Sequence, residues 1–130
     1  MKLALQLSLY VLFSLTIFAQ SPQELWANFD PDKGDFKEEI IREEVKDGIY
    51  HKEAYISAYV LGEEVRIYCK YAVKEGAKKA PALMDVHGWM GRPHISMSYV
   101  NDGWAVLAHD YCGKSGDRAH YTKYPEKLRY

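Results

Sequence analysis

The sequence predicts an α/β fold in which antiparallel N-terminal strands lead into a parallel strand-helix-strand unit. Three observations predict it. Val65, Ile67, Cys69, Tyr71 and Val73 alternate with Arg66, Tyr68, Lys70, Ala72 and Lys74, the period of two expected of a strand with one packed and one wet face. Pro81 to Val86 and Trp104 to Asp110 are short, nearly unbroken apolar runs, the kind that a parallel sheet buries on both sides. Between them, Pro93 to Asn101 has room for about two helical turns, with Ile95 and Tyr99 four apart and Asn101-Asp102-Gly103 as the stop. A crossover of this type is right-handed.

The remaining elements follow in order. Lys2 is followed by an apolar run, Leu3 to Phe18, that closes on Ala19-Gln20-Ser21. One positive charge, a short apolar stretch and a small residue describe a signal peptide over residues 1–19. The run is shorter and more polar than a membrane span requires, so export without a stable membrane anchor is expected, to the periplasm or outside the cell. Ser21-Pro22-Gln23-Glu24 has the form of a capping box, and residues 20–35 read as a linker or short helix that ends in turn formers. Glu38 to Val45 mixes Ile40, Ile41 and Val45 with acids and reads as a strand or a short helix, the strand being favoured. Asp47-Gly48 then offers a tight turn. Ile49 to Val60 is rich in β-favouring types, and Leu61-Gly62-Glu63 returns the chain into the alternating strand. The last stretch, Tyr111 to Tyr130, is loop-like and then polar and helix-compatible.

Composition excludes some function classes. The chain has 130 residues and a formal net charge of -1. Its only adjacent basic pair after the leader is Lys78-Lys79, so it lacks the basic stripe that a phosphate backbone demands, and nucleic acid is not an expected partner. The five histidines, His51, His87, His94, His109 and His120, do not fall at metal-ligand spacings. No metal and no cofactor is expected. Cys69 shares parity with apolar strand positions and reads as a core residue, with Cys112 unpaired. Export would nonetheless permit a disulfide between them.

The chemistry gathers where the first apolar run ends, at His87-Gly88-Trp89-Met90-Gly91. A glycine-flanked turn after a parallel strand points N–H groups into the crevice above the sheet, and such donors suit a developing oxyanion. Gly88 and Gly91 equally serve a tight turn, with Trp89 covering the core edge. The antiparallel hairpin, this turn, a helix and then Asp110-Tyr111-Cys112-Gly113 together resemble the first half of an α/β-hydrolase. The likeness is greatest to the dienelactone hydrolase, acetylxylan esterase and prolyl oligopeptidase-like group. It covers about Phe36 to Asp117 and implies a partial α/β-hydrolase sheet over residues 36–130.

The resemblance implies that Trp89, with Gly88 as second choice, gives a main-chain oxyanion donor. His87 and Asp110 are implied as structural residues beside the site. It also implies a serine nucleophile on a Gly-x-Ser-x-Gly elbow, followed by an acid and a histidine. No such elbow is present, and Gly113-Lys114-Ser115-Gly116-Asp117 lacks the second glycine at the required place. The chain is therefore expected to be an N-terminal, apparently truncated part of a secreted serine hydrolase. Its parent would act on ester bonds of a small molecule or polysaccharide, carbohydrate acetyl esters included. Alone it is expected to be inactive and, with an unpaired sheet edge, unstable. The alternative is a small secreted β-rich glycan-binding or adhesion module, suggested by eleven tyrosines and three tryptophans.

Overall fold

A computed structural model of the chain describes residues 21, 23, 27 and 35–129. The signal peptide and nearly all of the 20–35 linker or helix lie outside the described residues. The chain divides into two units, Met1–Gly34 and Asp35–Tyr130, and every strand described below is in the second.

Five strands make one mixed sheet: β1 (Glu39–Lys46), β2 (Ile49–Val60), β3 (Glu63–Lys74), β4 (Ala82–Asp85) and β5 (Ala105–His109). The order is β1-β2-β3-β5-β4. β1, β2, β3 and β5 pair antiparallel with their neighbours, and only β4 with β5 is parallel. The first two hairpins close on Asp47-Gly48 and Leu61-Gly62, each with positive φ at both residues. That is the signature of the two-residue turn whose twist matches its flanking strands. Glu38 to Val45 accordingly resolves as a strand, with a register shift between Ile40 and Arg42.

The predicted α/β class is not what the chain adopts. The fold is β-rich, a five-stranded mixed sheet with one short helix among the described residues, α1 (Met97–Asn101). The reason is local. The helix starts only at Met97, because Ser96 at its N-cap is extended and makes no side-chain cap hydrogen bond. Only one turn forms before Gly103 reverses the backbone at φ +92. The polar C-terminal stretch is not α-helical either. It runs irregularly along the sheet, bridges Arg66 to Lys123 by two main-chain hydrogen bonds and ends in a single 3₁₀ turn at Glu126–Leu128.

Burial also differs from the simple alternation. In β3, Val65 and Cys69 are buried on one face, while Tyr68 and Ala72 are buried on the other. The second face is covered twice. Val100 of α1 packs with Ile49, Ala72 and Val106, and Leu83, Ile95 and Trp104 flank the cluster. Further along the same face, the C-terminal stretch lays His120 against Tyr68, with ring centroids 5.7 Å apart, and Lys123 over Tyr55 at 4.6 Å. Fully burying a valine such as Val100 or Val106 contributes about 1.5–3 kcal/mol. β5 lies between two strands and buries Val106 and Ala108. β4, expected to be buried on both faces, is an edge with Met84 59% exposed.

Candidate functional site

The C-terminal ends of β4 and β5 are adjacent because these strands are parallel partners, Asp85 opposite Ala108. His87 therefore leaves β4 beside Asp110, which leaves β5. The His87 side chain is 6% exposed and that of Asp110 is 0% exposed. His87 Nε2 lies 3.4 Å from Asp110 Oδ1 without making a hydrogen bond to it, and Nε2 has no hydrogen-bond partner. His87 Nδ1 is 2.8 Å from the Gly88 carbonyl oxygen, so the proton that makes this contact a hydrogen bond is on Nδ1. The imidazole stacks on Tyr111, with centroids 4.5 Å apart and planes 11° apart. Tyr111 Oη donates to the His87 carbonyl at 2.9 Å, and Tyr124 Oη donates to the Tyr111 carbonyl at 2.8 Å.

Asp110 is the hub. Its Oδ2 accepts the Thr122 amide at 2.7 Å, and its Oδ1 accepts Arg118 Nη1 at 3.2 Å and the Cys112 amide at 3.4 Å. Its own amide donates to the Tyr68 carbonyl at 2.8 Å, and the Thr122 hydroxyl donates to its carbonyl. A buried carboxylate is tolerable only when its lone pairs are met in this way. Arg118, with a side chain 5% exposed, spends its other donors on the loop. Nε reaches the Ser115 carbonyl at 3.0 Å, and Nη2 reaches the Gly113 carbonyl at 2.6 Å and Ser115 Oγ at 2.5 Å. Sequence reasoning assigned Asp110 a loop-tying place but missed Arg118 and Thr122, which stand in polar stretches indistinguishable from surface loop.

The turn itself is Gly88-Trp89-Met90-Gly91, closed by Gly91 N donating to the Gly88 carbonyl at 2.9 Å. The two glycines differ in need. A Cβ on Gly91 would sit 2.8 Å from the Gly88 carbonyl oxygen and 3.0 Å from His87 Nδ1, whereas Gly88 has open space around it and no positive φ. The left-handed position is instead taken by Met90 at φ +62, a conformation costing roughly 1–2 kcal/mol for an L-residue. Among the described residues, no acceptor meets the amide of Trp89 or of Met90. The Trp89 side chain is 82% exposed and does not cover the core edge. It lines a cleft of about 670 Å³ together with Tyr111, Cys112, Tyr121 and Tyr124.

Burial pushes the Tyr124 hydroxyl above its ordinary pKa, with Asp110 and Cys112 adding to it; Tyr111 is raised by burial and by Cys112. Both phenols stay neutral donors. Cys69 and Cys112 are free thiols, so the disulfide left open by the sequence is not formed. Cys69 is 6% exposed, and burial pushes its thiol up to about 11. Three serine hydroxyls have partners: Ser115 Oγ accepts from Arg118, Ser96 Oγ donates to Asp85, and Ser57 Oγ donates to Glu64. No group of three His, Cys, Asp or Glu side chains able to hold a metal ion occurs among the described residues, and none of their helices is long and apolar enough to cross a membrane.

Comparison with protein-family models, curated proteins and solved structures finds no match to the chain. The site must therefore be read from its own geometry.

Proposed function

We propose that the Gly88–Gly91 turn supplies main-chain N–H donors to the oxyanion of an ester hydrolysis, with the nucleophile contributed from outside these 130 residues. The observation that carries this reading is the pair of amides at Trp89 and Met90, free of any acceptor among the described residues and set on a turn whose Trp89 lines a 670 Å³ cleft. Donors fixed in advance cost no reorganisation when charge develops, which is what makes them effective. Met90 in the left-handed region supports the same reading, since backbone strain of this kind collects where geometry serves a ligand. His87, clamped between Tyr111 and the Gly88 carbonyl, is a positioning residue for the turn. Asp110 holds the Gly113–Thr122 loop through Arg118 and Thr122. The reading goes with export through the leader expected over residues 1–19 and with a polysaccharide or small-molecule ester as substrate class.

The test is an NMR titration of the 130-residue chain with methylphosphonate, a tetrahedral anion. The Trp89 and Met90 amide signals are expected to move farthest. Their standing still while other amides shift would overturn the reading. Turnover of 4-nitrophenyl acetate that disappears on replacing one of this chain's serines would overturn the external nucleophile. The exposed Trp89 indole favours a second reading, a secreted glycan-binding module without catalysis. It predicts that sugars bind and that methylphosphonate leaves both amides unmoved.

A further inference from the structure

The walls of the cleft beside the turn have a one-sided chemistry. Four aromatic residues line it, Trp89, Tyr111, Tyr121 and Tyr124, and three cations do so as well, Lys114, Lys123 and Arg129. None of its lining residues carries a carboxylate, in a chain that has 18 acidic residues and a net charge of -1. The three cations have no carboxylate partner among the described residues. Lys123 Nζ rests on the Tyr55 ring at 4.6 Å, and Arg129 gives its Nε to the Tyr124 carbonyl at 3.0 Å, leaving both Nη groups. Of the acids nearby, Asp110 is sealed at 1% exposure and neutralised by Arg118, while Glu126, between Tyr124 and Leu128 in the chain, is exposed.

We infer that this cleft binds an anionic carbohydrate, a sugar carrying carboxylate or sulfate, with Trp89 and the tyrosines as stacking surface and Lys114, Lys123 and Arg129 as the charge complement. The apolar C–H face of a pyranose packs on an aromatic ring whose other end is wet, the situation of an indole 82% exposed. Arg129 with two free Nη groups is shaped for a planar carboxylate or a sulfate, and Lys114 answers as a point charge. A glycan fits better than a nucleic acid strand. Three cations in one cleft do not make the long basic track that a phosphate backbone follows. The inference deepens the esterase reading, on which it rests, by naming the substrate as an ester on an acidic polysaccharide. Its readout is separate from that of methylphosphonate at the turn.

The experiment is isothermal titration of the folded chain with three oligosaccharides of equal length: oligogalacturonate, a sulfated galactan fragment and neutral xylo-oligosaccharide. Binding of either anionic sugar, weakened by added salt and absent for the neutral one, is expected; which of the two binds tells carboxylate from sulfate. Lys114 and Arg129 are exposed, so Lys114→Glu and Arg129→Glu keep the fold, checked by circular dichroism. Each is expected to lower affinity roughly tenfold, as loss of one charge-assisted hydrogen bond does. Equal binding of the neutral sugar, tighter binding of a single-stranded oligonucleotide, or no effect of the two charge reversals would overturn the inference. Sugar binding with unmoved Trp89 and Met90 amides would remove the oxyanion reading and keep the anionic glycan.

Discussion

Gly91 and Arg118 show how much of the site rests on single side chains. Gly91→Ala forces a Cβ to within 2.8 Å of the Gly88 carbonyl, a backbone atom that cannot swing away, so the turn must open. A loss of about 1–3 kcal/mol is expected, read as a lower midpoint in urea, together with a shift of the Trp89 amide. Gly88→Ala, with open space around it, should leave the midpoint nearly unchanged. Arg118→Met strands the Asp110 carboxylate in a site where it is 1% exposed, and removing one partner of a buried pair costs about 3–5 kcal/mol. Asp110→Asn together with Arg118→Met should recover part of that loss, because no charge is then left buried alone; an additive double variant would argue against the pairing. The thiols give a third check at this scale. Cys112, half-buried, should react with a disulfide reagent in the native state, while Cys69, buried and with its thiol at about 11, should label only on unfolding.

The hairpins and the parallel β4–β5 pair with a helix between them were legible as elements, and the extent of that helix was not. Asp47-Gly48 and Leu61-Gly62 mark turns by composition alone, and φ +72 at Gly48 and +80 at Gly62 follow from the twist that a two-residue connection must carry. The short stretch before α1 misled because apolar residues four apart fit one helical turn as well as two, and nothing local fixes where a helix begins without a capping side chain. Hydrogen exchange tests the hierarchy of elements. β2 and β3, paired along twelve residues, should be the slowest to exchange. β4, four residues long with a single partner, should be the fastest of the strands. Protection of β4 equal to that of β5 would mean that another strand covers its outer edge.

At the level of the whole molecule, an ionic and phenolic cluster ties β1, β2 and β3 together and sets the pH range of stability. Burial alone would raise the Glu53 carboxyl, but the Tyr68 hydroxyl, Lys70 and Arg42 hold it below the usual carboxylate range. A carboxyl depressed in the folded state stabilises above its unfolded value, about 4.3, and that contribution fades as pH falls through the lower folded value. Burial and the Glu53 hydrogen bond raise Tyr68, and the Glu43 hydrogen bond with burial raises Tyr50 to about 12. A phenol raised in the folded state stabilises below its unfolded value and loses that contribution as pH climbs through the folded one. The contribution of this cluster should thus be full through neutrality, falling in acid below pH of about 4 and again in alkali above about 10. Tyr68→Phe, which removes the hydroxyl from both titrations, should weaken the acid and the alkaline limbs together in a denaturant series against pH.

Period-two alternation, the paired turn residues and the His-Gly-Trp-Met-Gly run are readable in the letters because each is local: a turn's φ angles and a strand's parity depend on residues a few positions apart. Tertiary contacts chose the fold class, the edge position of β4, the contact between His87 and Asp110 and the enlistment of Arg118 and Thr122. Those outcomes depend on which strand lies beside which, and side chains 23 and 31 positions from His87 in the chain become its neighbours or its neighbours' partners only once β4 and β5 lie in parallel.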